Sequence, residues 1–174
     1  PALQDEALRL GHLLAELAPA EPEVLGLLAL MELQASRADA RTEASGEPVL
    51  LMDQDRARWD RARIDRGLEA LARAEALGDV GGPYRLQAAI AACHARARAA
   101  DATDWARIAA LYGELLERHP SPVVALNRAI AVSRAEGPAA GLALLDALAA
   151  DPRLARYHLL PSARADLLER LGRY

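Results

Sequence analysis

The chain has 174 residues, of which 52% are hydrophobic, and a formal net charge of −4 at pH 7. This length fits one domain with a sizeable core, and the mildly acidic balance lacks the basic excess expected of a free-standing nucleic-acid-binding domain. The single cysteine, Cys93, excludes an internal disulfide and fits a reducing compartment. The sequence shows no signal peptide and no apolar run long enough to span a membrane, so it predicts a cytoplasmic protein.

Alanine and leucine supply much of the hydrophobic content, phenylalanine is absent, and β-branched residues are sparse. Alanine and leucine favour helix, whereas β-branched and aromatic residues favour strands. The composition therefore predicts an all-α fold. The chain begins at Pro1 within a helical pattern and without an initiator methionine, so we expect a fragment of a longer protein.

The first two predicted helices differ in how their apolar residues are arranged. The second, over about residues 23–37, is apolar nearly all round and is expected to be buried on several sides. Residues 38–53 then form the longest irregular stretch, and a helix ending near Leu77 follows. The first helix has a single apolar stripe, which predicts one buried face. Its members are Leu3, Ala7, Leu10, Leu14 and Leu17.

A stretch that joins both signs of charge to a tryptophan precedes the third predicted helix. One interpretation is a helix cap followed by a solvent-exposed face, which is the commoner role of such charge runs. The other interpretation is a docking surface for a partner. The stretch covers residues 53–60, and its candidate contact residues are Asp53, Gln54, Asp55, Arg56, Arg58 and Trp59.

The next helix, over about residues 84–97, has two faces at helical spacing. The face with Leu86, Ile90 and Cys93 is predicted to be core, so Cys93 is interpreted as a small buried hydrophobe and not as a nucleophile. The other face carries polar groups that either edge the core or contact a partner. These are Tyr84, Gln87 and His94.

Residues 104–132 predict two helices joined by a short turn. Asp104 or Thr103 can cap the first helix, and Pro122 suits the first turn of the second. The pattern of helix, turn, helix and proline-containing turn repeats with a period a little over thirty residues, as in tetratricopeptide repeats. We therefore predict one domain over residues 1–174, a right-handed tetratricopeptide-like array of about eight helices with a concave face.

The sequence offers no motif for catalysis. It has no glycine-rich phosphate loop and no nucleophile elbow, and no two of its four histidines lie four residues apart on one helix. The pair over residues 104–132 is not a DNA-reading motif, since its second helix offers only Asn127 and Arg128 as polar contacts. We expect neither an enzyme nor a cofactor or metal site.

Five segments, in this order, resemble one family along nearly the whole chain. The family is the C-terminal tetratricopeptide-like extension of the extracytoplasmic-function sigma factors of RNA polymerase, which form group IV of the sigma-70 family. The segments are EPEVLGLLALM at residues 21–31, DQDR with RWD at 53–60, YRLQAAIAA with HA at 84–95, TDW with IA and LY at 103–112, and PSPVVALNRA at 120–129.

The resemblance implies a bacterial transcription factor whose polymerase- and promoter-binding regions lie N-terminal to this chain. It carries over no catalytic residue, and it raises the expectation that residues 53–60 do more than face solvent. Expected partners are the N-terminal sigma regions of the same protein, core RNA polymerase or an unknown protein, with self-association as a further option. Neither nucleic acid nor a membrane is expected to bind this part directly.

The leading hypothesis is a regulatory, protein-interaction domain of such a sigma factor that modulates transcription initiation. The alternative is a ligand-sensing helical-repeat domain that binds a small molecule or peptide in its concave groove near Tyr84, Gln87 and His94.

Overall fold

The computed structural model describes residues 2–78 and 82–173, and the side chains of these residues except that of Ala2. Within these ranges the fold is all-α, with eight α-helices and no strand, as the sequence predicted. The helices are α1 (Ala2–Leu17), α2 (Pro22–Ala35), α3 (Arg61–Ala76), α4 (Pro83–Arg96), α5 (Trp105–Arg118), α6 (Pro122–Ala135), α7 (Pro138–Leu148) and α8 (Leu159–Arg170).

The helices begin where the local sequence chemistry directs. A proline occupies the first turn of α2, α4, α6 and α7, where its missing N–H costs no hydrogen bond. The side chain of Asp104 accepts a hydrogen bond of 2.9 Å from the Arg107 backbone N–H and caps α5. The predicted roles of Asp104 and Pro122 are confirmed.

The chain divides into two compact units, Pro1–Thr103 and Asp104–Tyr174. Unit 1 contains α1 to α4, and unit 2 contains α5 to α8. The boundary falls between α4 and α5. The sequence prediction of a single domain over residues 1–174 stays a prediction.

Helix α2 is the centre of unit 1 and packs against α1, α3 and α4. Leu25, Leu28 and Leu33 are all buried, which confirms the prediction of a helix covered on several sides. Gly26 lets α4 come close, since a Cβ atom there would lie 2.6 Å from the backbone nitrogen of Arg85. Only a residue without a side chain fits this crossing.

Helix α1 faces the opposite way from the sequence prediction. The predicted stripe lies outward, with Leu3 86% exposed and Leu17 75% exposed. The face that packs on α2 carries Leu8, Gly11 and Ala15 instead. Small residues allow a close approach here, and a Cβ at position 11 would lie 3.2 Å from the sulfur of Met31.

Unit 2 has its own core between α6, α7 and α8. Its buried residues are Leu126, Ala129, Leu142, Leu145, Leu154, Leu160 and Leu167. The final helix ends as predicted near Gly172, whose φ of 66° lies in the left-handed region that suits glycine.

The irregular stretch between α2 and α3 is folded back on itself. Thr42 and Pro48 form an isolated antiparallel bridge, and the Val49 N–H donates to the Arg41 carbonyl at 2.8 Å. The apolar run that follows is only partly covered, with Leu50 exposed. A short 3-10 turn, Arg56–Arg58, then leads into α3.

Candidate functional site

Residues 53–60 start two helical segments. The Asp55 carboxylate accepts from the Ala57 N–H at 2.9 Å and caps the 3-10 turn. The Asp60 carboxylate accepts from the Arg63 N–H at 3.1 Å and caps α3. Such caps satisfy backbone donors that have no partner inside the helix. The capping interpretation is thus confirmed for these two aspartates, while docking by this stretch stays a prediction.

Arg56 is a buried cation held by oxygen atoms that carry no full charge. Its Nη1 donates to the carbonyls of His94 at 2.7 Å and Ala97 at 2.8 Å, and its Nη2 donates to the Thr103 hydroxyl oxygen at 3.0 Å. Both carbonyls lie at the C-terminal end of α4, which is the negative end of the helix dipole. Burial, followed by repulsion from Arg61, lowers the pKa of Arg56 below its usual range, while Asp101 opposes the shift.

The Trp59 ring is the apolar surface on which two arginines rest. The guanidinium carbon of Arg56 lies 5.0 Å from the ring centre, and that of Arg37 lies 5.7 Å from it. Both distances fall within cation–π range. Burial, assisted by repulsion from Arg41 and Arg56, lowers the pKa of Arg37 to about 10. Trp59 therefore keeps two positive charges close together inside unit 1.

His94 completes this cluster from α4. Burial, assisted by the positive charges of Arg37 and Arg56, lowers the pKa of His94 to about 4. The imidazole is therefore neutral at pH 7. An imidazole with such a low pKa is a poor general base near neutral pH. The cluster instead holds the 3-10 turn against the end of α4.

The nine residues predicted as a candidate interaction surface divide into two groups. Gln54, Arg56, Trp59 and His94 are buried, which corrects their placement on a surface. For two of them the reason is that Arg56 Nη1 and Gln54 Nε2 find backbone carbonyls inside the fold; Gln54 Nε2 donates to the Val49 carbonyl at 3.2 Å. The remaining five are accessible to a partner: Asp53, Asp55, Arg58 and Tyr84 are exposed, and Gln87 is half-buried.

A second charged cluster, which was not predicted from the sequence, is centred on Glu32. This carboxylate is buried in α2, where its Oε1 lies 2.7 Å from His12 Nε2 and 2.9 Å from Arg66 Nε. Arg63 Nη1 lies 3.8 Å from Oε2. The cluster thus joins α1, α2 and α3. The available signal was the position of Glu32 between Met31 and Leu33 in an otherwise apolar helix, since a buried charge needs partners.

Glu23 is another missed residue, and it caps a helix distant in sequence. Its Oε2 accepts from the Tyr84 N–H at 2.7 Å, and its Oε1 accepts from the Arg85 N–H at 3.0 Å. A carboxylate at a helix N-terminus is favoured by both these hydrogen bonds and the helix dipole. Glu23 therefore fixes the start of α4 against α2, which sets the position of Tyr84.

Unit 1 also has a cavity of about 500 Å³ between α1, α2 and residues 38–42. Its lining residues are Gln4, Ala7, Leu8, Met31, Gln34, Ala35, Ala38, Arg41 and Thr42. Tyr84, Gln87 and His94 are not among them, so this cavity is not the groove predicted for the ligand-sensing alternative. Among residues 2–78 and 82–173, no group of acidic, histidine and cysteine side chains is arranged to hold a metal ion.

The described helices include none that is both long and apolar enough to cross a lipid bilayer.

Comparison with known proteins relates the chain to proteins without an assigned activity. Residues 1–75 match the model of a family described as Family of unknown function (DUF6596). The matched range includes Glu32, Arg56 and Trp59 and ends before α4. The chain is also similar to an uncharacterized protein of Rhizobium meliloti (strain 1021), with 51% identity over 171 residues. This match covers 98% of the chain and 40% of the relative's length. No solved structure matches the chain.

Proposed function

We propose that the chain is a non-catalytic, protein-interaction part of an extracytoplasmic-function RNA polymerase sigma factor, and that it modulates transcription initiation in the bacterial cytoplasm. The class of protein comes from the sequence resemblance, which extends over both units. The buried clusters around Arg56 and Glu32 support a role in contact and not in catalysis, because their charges are engaged in holding helices together.

The observation that carries the proposal is the exposed face of α1. Leu3, Leu10, Leu14 and Leu17 lie outward along this helix and form an apolar strip, which we name the leucine face. Contiguous exposed apolar surface of this kind marks a site of protein–protein contact. Because it is the outward side of a helix already packed on α2, a partner can cover it without unfolding unit 1.

We assign the N-terminal sigma regions of the same protein as the partner that covers the leucine face. The length of the Rhizobium relative supports this choice, since the matched region makes up 40% of that protein and leaves more than half of it to supply a partner surface. The exposed Asp53, Asp55 and Arg58 provide a second, charged contact in the proposal, held in position by the buried Arg56 and Trp59.

The test measures promoter-dependent transcription by the parent protein with core polymerase, with and without residues 1–174. A second assay measures binding of the separately produced chain to the N-terminal regions. The triple variant Leu3→Gln, Leu10→Gln and Leu17→Gln should weaken this binding at least about tenfold, equivalent to about 1.4 kcal/mol, and change transcription. The matched control is Leu50→Gln, which alters an exposed leucine outside α1.

Unchanged transcription after deletion of residues 1–174 would overturn the regulatory role. If the triple variant weakens binding to core polymerase and not to the N-terminal regions, the role survives and the assigned partner is wrong. If the triple variant only abolishes self-association of the chain, the leucine face is a dimer contact and the assigned partner is again wrong.

A further inference from the structure

The cavity between α1, α2 and residues 38–42 combines an apolar wall with a positively charged rim. Leu8, Met31 and Ala35 are apolar residues of its wall, and so are Ala7 and Ala38. Its volume of about 500 Å³ falls within the range of about 300–1,000 Å³ that is usual for small-molecule sites. The size and lining suit a ligand with a short hydrocarbon chain.

Arg41 supplies the charge at the rim. Its Nη2 donates to the backbone carbonyl and to the Oε1 atom of Gln34, both at 2.9 Å, and Arg37 Nη2 also donates to Gln34 Oε1. Within the described part of unit 1, no carboxylate pairs with Arg41 or Arg37. Gln34 therefore holds two cations side by side. No described residue accepts from Nε or Nη1 of Arg41, and either group can donate a single hydrogen bond to an anion.

Two of the three neighbouring acidic side chains are paired with another cation. A second, more polar cavity shares Ala35, Ala38 and Thr42 with the first and is also lined by Asp5, Asp39 and Asp60. Asp5 and Asp60 both pair with Arg63, with N–O distances of 3.4 Å. Asp5 and Asp60 thus have a cation of their own. Asp39 lines the second cavity and not the apolar one, whose only charged lining residue among those described is Arg41.

The loop geometry fixes Arg41 in this place. The Arg41 carbonyl accepts from the Val49 N–H at 2.8 Å, and Thr42 pairs with Pro48 in the antiparallel bridge. The folded loop therefore holds the backbone of Arg41 in position, and Gln34 holds its side chain. A preorganised cation at the edge of an apolar cavity suits a ligand whose single negative charge lies at one end.

We propose that this cavity binds a small alkyl carboxylate, with the hydrocarbon chain against Leu8, Met31 and Ala35 and the carboxylate on Arg41. An arginine N–H forms a charge-assisted hydrogen bond to a carboxylate, which favours a carboxylate over an alcohol or an amine. This site is independent of the proposed transcriptional role, because it concerns unit 1 alone and is measured without polymerase.

The test is calorimetric titration of the 174-residue chain with octanoate. Octylamine and octanol serve as probes of the same chain length without negative charge, and acetate serves as a carboxylate without the chain. Arg41→Gln removes the charge, while Ala7→Leu fills the cavity from an exposed position on α1. Arg73→Gln removes an exposed arginine on α3, away from the cavity, and is the matched control.

We expect octanoate to bind at least tenfold more tightly than the other three probes. Arg41→Gln and Ala7→Leu should each weaken octanoate binding about tenfold or more, whereas Arg73→Gln should leave it unchanged. Absence of octanoate binding, equal binding of octylamine, or wild-type affinity in the Arg41→Gln variant would each overturn the proposal. Tighter binding of a pentapeptide ending in a leucine carboxylate would overturn the assignment to a small molecule. Circular dichroism of each variant confirms that the helices remain folded.

Discussion

The guanidinium carbon of Arg56 lies 5.0 Å from the centre of the Trp59 ring, and both side chains are buried. The same guanidinium donates to the carbonyls of His94 and Ala97 at the end of α4. One side chain therefore connects the 3-10 turn that precedes α3 to the end of α4, and the ring shields the connection from water. This explains why a charged arginine is stable inside unit 1.

Replacing Arg56 with methionine should destabilise the fold. The substitution keeps an apolar stem against Trp59 but leaves two buried carbonyls and the Thr103 hydroxyl without their donor. We expect the free energy of unfolding to fall by about 3 kcal/mol. The control is Arg58→Met, at an exposed position of the same 3-10 turn, where the expected change is about 0.5 kcal/mol. Urea denaturation followed by circular dichroism measures both; equal changes would contradict the role assigned to Arg56.

His94 should make stability depend on pH in the mildly acidic range. Its pKa is lowered from 6.5 to about 4 in the folded chain, so between these values the unfolded state binds a proton that the folded state does not. The free energy of unfolding should therefore decrease as the pH falls from 6.5 towards 4, by up to about 3 kcal/mol, and this loss should be absent above pH 6.5.

The measurement for His94 is the slope of unfolding free energy against pH between 5 and 6.5, where few carboxyl groups titrate. His94→Gln should reduce this slope, whatever its effect on absolute stability at pH 7. His158→Gln, at an exposed histidine in unit 2, is the control and should keep the wild-type slope. An unchanged slope in His94→Gln would mean that the buried imidazole does not cause the loss of stability at mildly acidic pH.

Local features of the fold were predictable from the sequence. Asp104 and Pro122 define helix starts through chemistry that depends only on their immediate neighbours, and both were predicted correctly. Periodicity likewise identified the buried face of α4, with Leu86, Ile90 and Cys93. These predictions worked because caps, proline geometry and a face of large apolar residues are properties of a single segment.

Orientation between segments was not predictable in the same way. Periodicity identified the leucine stripe of α1 correctly but not its direction, because Gly11 and the contact of His12 with Glu32 favour the other face. The burial of Arg56 was also not predicted, because the carbonyls that accept from it, those of His94 and Ala97, lie 38 and 41 residues further along the chain. A sequence pattern shows that a side chain is charged, but not which distant carbonyls will accept from it.

Replacing Glu32 with glutamine should weaken the contact between α1, α2 and α3. The neutral amide retains the shape of the side chain but loses the charge that pairs with Arg66 and Arg63. We expect a loss of about 2 kcal/mol, less than for a fully buried pair because Arg66 is partly exposed to water. Glu69→Gln, at an exposed position on α3, should change stability by about 0.5 kcal/mol or less. Thermal and urea unfolding compare the two, and equal stability would argue against a structural role for Glu32.

The orientation of α1 can be tested with two leucines on the same helix. Leu8 is 5% exposed and packs toward α2, whereas Leu10 is 50% exposed on the leucine face. Leu8→Ala should lower the free energy of unfolding by about 2–4 kcal/mol, because it removes buried methyl groups and leaves a cavity. Leu10→Ala should lower it by about 0.5 kcal/mol.

Alanine at both sites makes the comparison strict, since helix propensity and the change in side chain are the same. The apolar stripe taken from the sequence predicts the reverse order, with Leu10 as the costly position. Urea denaturation of the two single variants therefore decides between the two orientations of α1. If Leu10→Ala is the more destabilising variant, the leucine face is buried and the partner contact proposed for it is wrong.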